Sequence, residues 1–235
     1  MSSIDLTVVI PVYNEEEIVQ DVINSWLTTL RSLEINFVIK AYNDGSKDST
    51  LLKLKELSNN NFELKIFDKP NSGHGPTILR GYRDSYSKWI FQVDSDNEMD
   101  AIHFKELWEI RNDYDLIVGK RVQRVSSISR HIITLVARLT NKILYGSGIV
   151  DVNSPYRLYR RDTFIDAFQK MPGDTFAPNV ILSGYAVRKK LKFIEIPVPT
   201  KLRETGEVSI RKIKLILAAL KSFIQTIRFR FSKTF

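Results

Sequence analysis

The sequence has no cysteine. That excludes a disulfide framework, a thiolate zinc site and a cysteine nucleophile, and it fits a reducing, cytoplasmic setting. Long apolar runs are missing too. Nothing approaches the roughly 18 consecutive apolar residues of a membrane span. The opening stretch MSSIDLTVVIPVYNEEE has no basic segment followed by an apolar core and a small-residue cleavage site, so it does not read as a secretory signal. No G-x-G-x-x-G follows the first strand-like run, which argues against a dinucleotide oxidoreductase. No G-x-x-x-x-G-K-S/T occurs anywhere, which excludes a P-loop NTPase. Acidic residues are absent from two long stretches. Between Leu116 and Val150 there is no Asp or Glu, yet Lys120, Arg121, Arg124, Arg130, Arg138 and Lys142 all occur there. After Glu207 every charged side chain is basic.

What remains is an ordinary globular mixture. The 235 residues are 43% hydrophobic and 26% charged, enough for one large α/β domain. The net charge of +8 points to anionic partners. Most of the acids lie in the first hundred residues, so the chain reads as a negative half suited to a metal and a positive half facing something anionic.

Four strand-like runs alternate with helical spacing in that first hundred. Leu6 to Val12 is a β-branched run. Asn14 reads as a helix cap with Glu15, Glu16 and Glu17 at the positive end, and Ile18, Val22, Trp26 and Leu30 follow at helical spacing. Phe37 to Tyr42 is a second strand, closed by Asn43-Asp44-Gly45, with a helix from Asp48 or Ser49 to Leu57. Leu64 to Phe67 is a third, and Gly73-His74-Gly75-Pro76 leads into a helix ending near Tyr86. Trp89 to Val93 is a fourth, ending in Asp94-Ser95-Asp96. This alternation predicts an α/β fold, a doubly wound and mainly parallel sheet with helices on both faces. Further strands are expected at Leu116–Val118, Tyr156–Tyr159 and Phe193–Val198. Helices are expected over 101–111, 128–145, 176–190 and 209–231.

In open α/β sheets ligands sit at the carboxyl ends of the strands. Tyr13-Asn14-Glu15, Asn43-Asp44-Gly45-Ser46 and Asp94-Ser95-Asp96 all fall there. One such cluster alone is ordinarily a turn or a cap; three at one edge point to a site. Two carboxylates one residue apart repel unless a cation neutralises them. Magnesium and manganese favour such hard oxygen ligands together with waters and substrate phosphates. Glu98 offers one more oxygen.

The ordered motifs TVVIPVYNEEE, YNDGSKDST, NSGHGPTILRGY, WIFQVDSDNEMD, IVGKR, VNSPYRLYRR and IPVPTKLRETGEVS resemble the family-2 inverting glycosyltransferases of the GT-A fold. Among these they are most similar to the polyprenyl-phosphate, dolichol-phosphate-type sugar synthases. The resemblance runs to about Ser209 and gives a catalytic domain over 1–208, followed by a basic amphipathic helix over 209–235. It implies that Pro11, Tyr13, Glu15 and Asp44 hold the base and ribose of a UDP- or GDP-linked sugar. It places Asp94 and Asp96 on a divalent cation, Mg2+ or Mn2+, with Glu98 where relatives often carry Gln. Ser95 lies between the two carboxylates, beside the donor. Gly73 and Gly75 match the loop that closes over the nucleotide, and His74 stands where Lys or Arg is common. Arg121, Arg130 with Thr134, and Arg203 with Ser209 match positions that hold acceptor or donor phosphates; Ser209 lies one position beyond the usual R-x-x-G-x-S spacing. Asp96, Arg121, Arg130 and Arg203 are thus the expected catalytic set.

A phosphate acceptor is already anionic and needs no general base, whereas a hydroxyl acceptor does. Saccharide-acceptor relatives often carry a Glu-Asp pair where this chain has Thr175-Phe176-Ala177-Pro178-Asn179, with only Asp174 nearby. That favours a polyprenyl-phosphate acceptor over a sugar hydroxyl. A nucleotidyltransferase would place a Gly-rich, Arg-bearing loop after the first strand, and Pro11 to Glu17 has none. A nucleic-acid-binding module suits the charge but not the acidic strand ends, so no nucleic-acid partner is expected. Ile213, Ile216, Leu217, Leu220, Phe223, Ile224, Ile227 and Phe231 recur at helical spacing beside a purely basic polar side. They predict either packing on the domain or docking to an anionic membrane. Docking is the expectation, with the enzyme peripheral on the cytoplasmic face and the acceptor entering between this helix and the 128–145 helix.

Overall fold

The computed structural model describes residues 4–122, 139–140, 142–144, 146, 148–201 and 212–231, with only the backbone course for 212–219. Arg130, Thr134, Arg203 and Ser209, together with most of the expected 128–145 helix, lie outside the described residues.

Seven strands form one sheet in the order β3-β2-β1-β4-β6-β5-β7. They are β1 (Leu6–Val12), β2 (Phe37–Asp44), β3 (Leu64–Lys69), β4 (Trp89–Gln92), β5 (Leu116–Val122), β6 (Arg157–Arg160) and β7 (Phe193–Pro199). β1 pairs in parallel with β2 and with β4, β2 with β3, and β5 with β7. β6 is antiparallel to both β4 and β5. The expected mainly parallel sheet is present, with one reversed strand, β6, between β4 and β5.

The pleat of β1 explains the layering. Leu6, Val8, Ile10 and Val12 face one side, against Val22, Trp26 and Leu30 of α1 (Val19–Ser32) and Leu54 of α2 (Thr50–Asn60). Phe104, Leu107 and Trp108 of α4 (Phe104–Glu109) close that layer. Phe91 sits at its centre, with ring centroids 4.8 Å from Phe104 and 4.7 Å from Tyr156. Val9 points to the other side, where Ile78, Leu79 and Tyr82 of α3 (His74–Arg83) meet α5 (Arg161–Lys170) and α6 (Pro178–Arg188).

Three expectations need correction. Asn14 does not cap α1: the helix begins at Val19, and Asn14 adopts a left-handed φ of 51°. Its side chain instead accepts from the backbone N of Lys47 at 2.9 Å, joining the loops after β1 and β2. The helix after Gly73 ends at Arg83, not Tyr86. The 101–111 segment is a 3-10 turn followed by the short α4. Helix α5 was not anticipated, although Phe164, Ala167 and Phe168 stand at helical spacing and are all buried.

The last helix, α7 (Lys212–Phe231), docks by an unexpected face. Thr226 and Phe229 are buried, Gln225 reaches the 174–176 loop, and Arg188 donates to the Arg230 carbonyl at 2.8 Å. Leu220, Phe223, Ile224 and Phe231, from the apolar stripe, remain exposed. Among the described residues no helix is long and apolar enough to cross a membrane.

Candidate active site

The carboxyl ends of β1, β2 and β4 open on one side of the sheet, and the loops there are laced together. The backbone N of Glu15 donates to Thr50 Oγ1 at 2.9 Å, and that of Asn14 to Ser46 Oγ at 3.0 Å. Glu15 is buried, and Pro11 lies within β1 opposite Tyr42. Tyr13 is exposed, a ring available for stacking at the mouth of the loop.

Asp44 ends β2 and is buried. One carboxylate oxygen pairs with Lys69 Nζ and accepts from the backbone N of Ser72 at 2.8 Å; the other accepts from that of Gly73 at 2.9 Å. Burial alone would raise its pKa. Lys69 and the two amides outweigh burial and hold the carboxyl below its usual range. Asp44 therefore organises the 69–73 loop and fixes where α3 begins. Gly73 has a φ of 92°, a conformation open to glycine and costly for other residues. A Cβ on Gly75 would lie 2.1 Å from the Phe176 carbonyl oxygen, so only glycine allows α3 to approach the 175–176 backbone this closely.

His74, the first residue of α3, reaches Asp94 Oδ1 through Nε2 at 2.8 Å. Burial disfavours the imidazolium, but Asp94, Asp96 and Asp44 favour it, and the pKa lies above its ordinary value. Because 53% of the His74 side chain is exposed, the carboxylates count for more than burial. When protonated, His74 puts positive charge at a helix N-terminus, where an anion is also favoured by the helix dipole. The sequence motifs do bring Asp44, Gly73, His74 and Asp94 together.

Asp94 also accepts from Gln92 Nε2 at 2.9 Å. Asp96 Oδ1 accepts from the backbone N of Glu98 at 3.1 Å across Asn97, whose φ is 56°. Ser95 is buried between the two carboxylates. Among the described residues no three His, Asp or Glu side chains converge as a metal cage. Two carboxylates suit a magnesium or manganese ion that takes its remaining oxygens from water and a substrate diphosphate.

Arg121, at the end of β5, does not present an open fork. It grips Asp151 in a two-point pair, Nε to Oδ2 at 2.9 Å and Nη2 to Oδ1 at 2.7 Å, with 7% and 12% of the two side chains exposed. Glu195 holds the 150–151 backbone, accepting at 2.9 and 2.8 Å. The sequence reading missed Asp151 because it sits in an irregular loop without periodicity. Lys201 was missed as well: it pairs with Asp100 at 2.7 Å, and its backbone N donates to the Glu98 carbonyl. The chain leading to Arg203 is thereby tied to the Asp94–Asp96 loop. Asp174 pairs with Lys221 of α7 at 3.2 Å and receives Gln225.

A family model described as Glycosyl transferase family 2 matches residues 7–168. The undecaprenyl-phosphate 4-deoxy-4-formamido-L-arabinose transferase of Proteus mirabilis (strain HI4320) is 27% identical over 214 residues, 90% of this chain and 64% of the relative. The chain thus spans less than two thirds of that relative's length. Glucosyl-3-phosphoglycerate synthase from Mycobacterium tuberculosis, in complex with Mn2+ and uridine-diphosphate-glucose, superposes with a TM-score of 0.69 at 15% identity, covering 96% of this chain and 78% of that one. S. aureus TarS 1-349 in complex with UDP-GlcNAc gives 0.58 at 16% identity, with 98% and 74% covered. At these identities the structural likeness is one of fold.

Proposed function

Because the chain belongs to glycosyl transferase family 2, we propose that it moves a sugar from a UDP- or GDP-linked donor onto a polyprenyl phosphate. The observation that carries this reading is the convergence of Asp44, His74 and Asp94 at one sheet edge. The undecaprenyl-phosphate transferase relative supports the acceptor class. Pro11, Tyr13, Glu15 and Asp44 cradle the base and ribose. Asp94 and Asp96 hold the divalent cation, which when bound neutralises the leaving diphosphate. His74 adds a cationic contact to the same phosphates from the N-terminus of α3.

The acceptor phosphate oxygen attacks the anomeric carbon as the bond from that carbon to the nucleoside diphosphate breaks. The configuration inverts, and no proton has to be removed. Arg130 with Thr134, and Arg203 with Ser209, steer the incoming phosphate. Arg121, expected in the same role, has its fork taken by Asp151 and supports the end of β5 instead. The rival reading, transfer to a saccharide hydroxyl, needs a base. Its candidate, Asp174, is instead paired with Lys221 and Gln225 of α7, which favours the phosphate acceptor.

Reaching a lipid carrier requires the bilayer surface. The exposed Leu220, Phe223, Ile224 and Phe231, flanked by exposed Lys221 and Arg228, form an apolar stripe with basic edges. Each basic residue near anionic lipid contributes about 1 kcal/mol. The protein is expected to float with anionic vesicles at low salt and to be released as salt rises, while Phe223→Ser with Phe231→Ser reduces flotation. A protein that stays in solution with anionic vesicles at low salt contradicts this docking.

A further inference from the structure

We propose that Gln92 and Asn179 are positioning residues that set the orientation of the Asp94 carboxylate through a buried, directional hydrogen-bond relay. This rests on Asp94 serving the donor and its cation, as proposed above. Gln92 closes β4 and is fully buried, and Asn179 in the first turn of α6 is 3% exposed. A buried glutamine amide can face either way, and here its neighbours decide. Asn179 Nδ2 donates to Gln92 Oε1 at 2.9 Å, and Tyr82 Oη reaches the same oxygen at 3.4 Å. That leaves Nε2 for Asp94 Oδ1, at 2.9 Å.

Asn179 is fixed in turn from outside. Its Nδ2 also donates to the Ser154 carbonyl at 3.3 Å, an atom that only accepts, while the hydroxyls of Tyr82 and Tyr159 donate to Oδ1 at 2.8 and 3.2 Å, so Nδ2 faces Gln92. Both tyrosines are buried. Burial makes the alternatives costly, since an unpaired buried polar atom loses about 1–3 kcal/mol. The polarity therefore runs one way, from Asn179, held by the Ser154 carbonyl, through Gln92 to Asp94. The α6 face of the sheet holds the donor-site carboxylate in place without touching it.

Two near-isosteric changes test the direction of the relay. Gln92→Met keeps the shape and removes the donor to Asp94. Asn179→Asp keeps the acceptor for both hydroxyls and removes the amide donor to Gln92 and to the Ser154 carbonyl. It now presents oxygen to Gln92, so the amide turns and sets Oε1 against the Asp94 carboxylate. The added negative charge alone would strengthen cation binding, so a loss has the opposite sign from a direct charge effect. Calorimetric titration of UDP in the presence of Mn2+ is expected to show each variant weakened about tenfold, or about 1.4 kcal/mol. The double variant should be no weaker than Gln92→Met alone, because the second change acts only through the amide. Ser87→Ala, which loses a buried hydrogen bond to Thr7 just before β4, should lower Tm and leave UDP affinity unchanged. If Asp94→Asn abolishes binding while Gln92→Met and Asn179→Asp stay within twofold of wild type, the relay is wrong and the donor-site reading stands. Additive losses in the double variant also overturn it. If Asp94→Asn itself leaves binding intact, the relay and the reading beneath it fall together.

Discussion

Replacing Asp96 with alanine is expected to reduce sugar transfer about a thousandfold, close to 4 kcal/mol of transition-state stabilisation. In the proposed mechanism a cation meets the charge that develops on the leaving diphosphate, and Asp96 helps to hold it. Its carboxylate accepts from the backbone N of Glu98 at 3.1 Å. Losing one such bond costs about 0.5–1.5 kcal/mol, so Tm should move by about 5 °C or less for a chain of this size. Activity and stability therefore separate in this variant. Chelation should reproduce the loss, and added Mn2+ should reverse it in the wild type only. Full transfer in excess chelator contradicts the metal role.

Asp151→Ala should produce the largest loss of stability, about 3–5 kcal/mol, by stranding a buried guanidinium. Arg121 has 7% of its side chain exposed and pairs with Asp151 at two points. Arg157, fully buried, donates to the Asp151 carbonyl at 3.0 Å, so the variant removes the carboxylate that pairs with Arg121 beside a second buried cation. A fall in Tm of about 10 °C or more is expected. The pH dependence has a defined sign. Burial would raise the Asp151 pKa, but Arg121 and its backbone amide hold it below the ordinary value. Its stabilisation is therefore complete above the unfolded aspartate pKa of about 3.9. It is lost as pH falls through the lower folded value. The Tm gap between wild type and variant should stay constant from neutral pH to about pH 5 and narrow below about pH 4. A variant as stable as the wild type at neutral pH would mean that the pair contributes nothing.

The first four strands were legible because each is a short β-branched run bounded by polar turn residues, and their helices follow at helical spacing. The reversed β6 was legible as a strand but not in direction: what makes it antiparallel is its pairing with β4 and β5, contacts that lie far apart in sequence. Asn14 looked like a cap because asparagine usually serves that role; here the partner is Lys47, supplied by a neighbouring loop. The acidic half of the site, Asp44, Asp94 and Asp96, was readable from strand-end position. Its supports were not, since Lys69, Gln92, Asn179 and Asp151 act through tertiary contacts with no local pattern. Periodicity in α7 could not tell which face docks. Phe229, off the expected stripe, joins the domain core, and Gln225 bonds the backbone of Phe176.

Acceptor choice separates transfer to a lipid phosphate from transfer to a saccharide hydroxyl. The purified chain is incubated with Mn2+, a panel of UDP- and GDP-sugars, and either a short polyprenyl phosphate or the corresponding polyprenyl alcohol and free saccharides. Products are resolved by mass spectrometry, and anomeric configuration by NMR. The account predicts a polyprenyl-phosphate sugar of inverted configuration, formed in proportion to nucleoside diphosphate released and lost in Asp96→Ala. Sugar appearing on a saccharide hydroxyl, with the polyprenyl phosphate untouched, would contradict it.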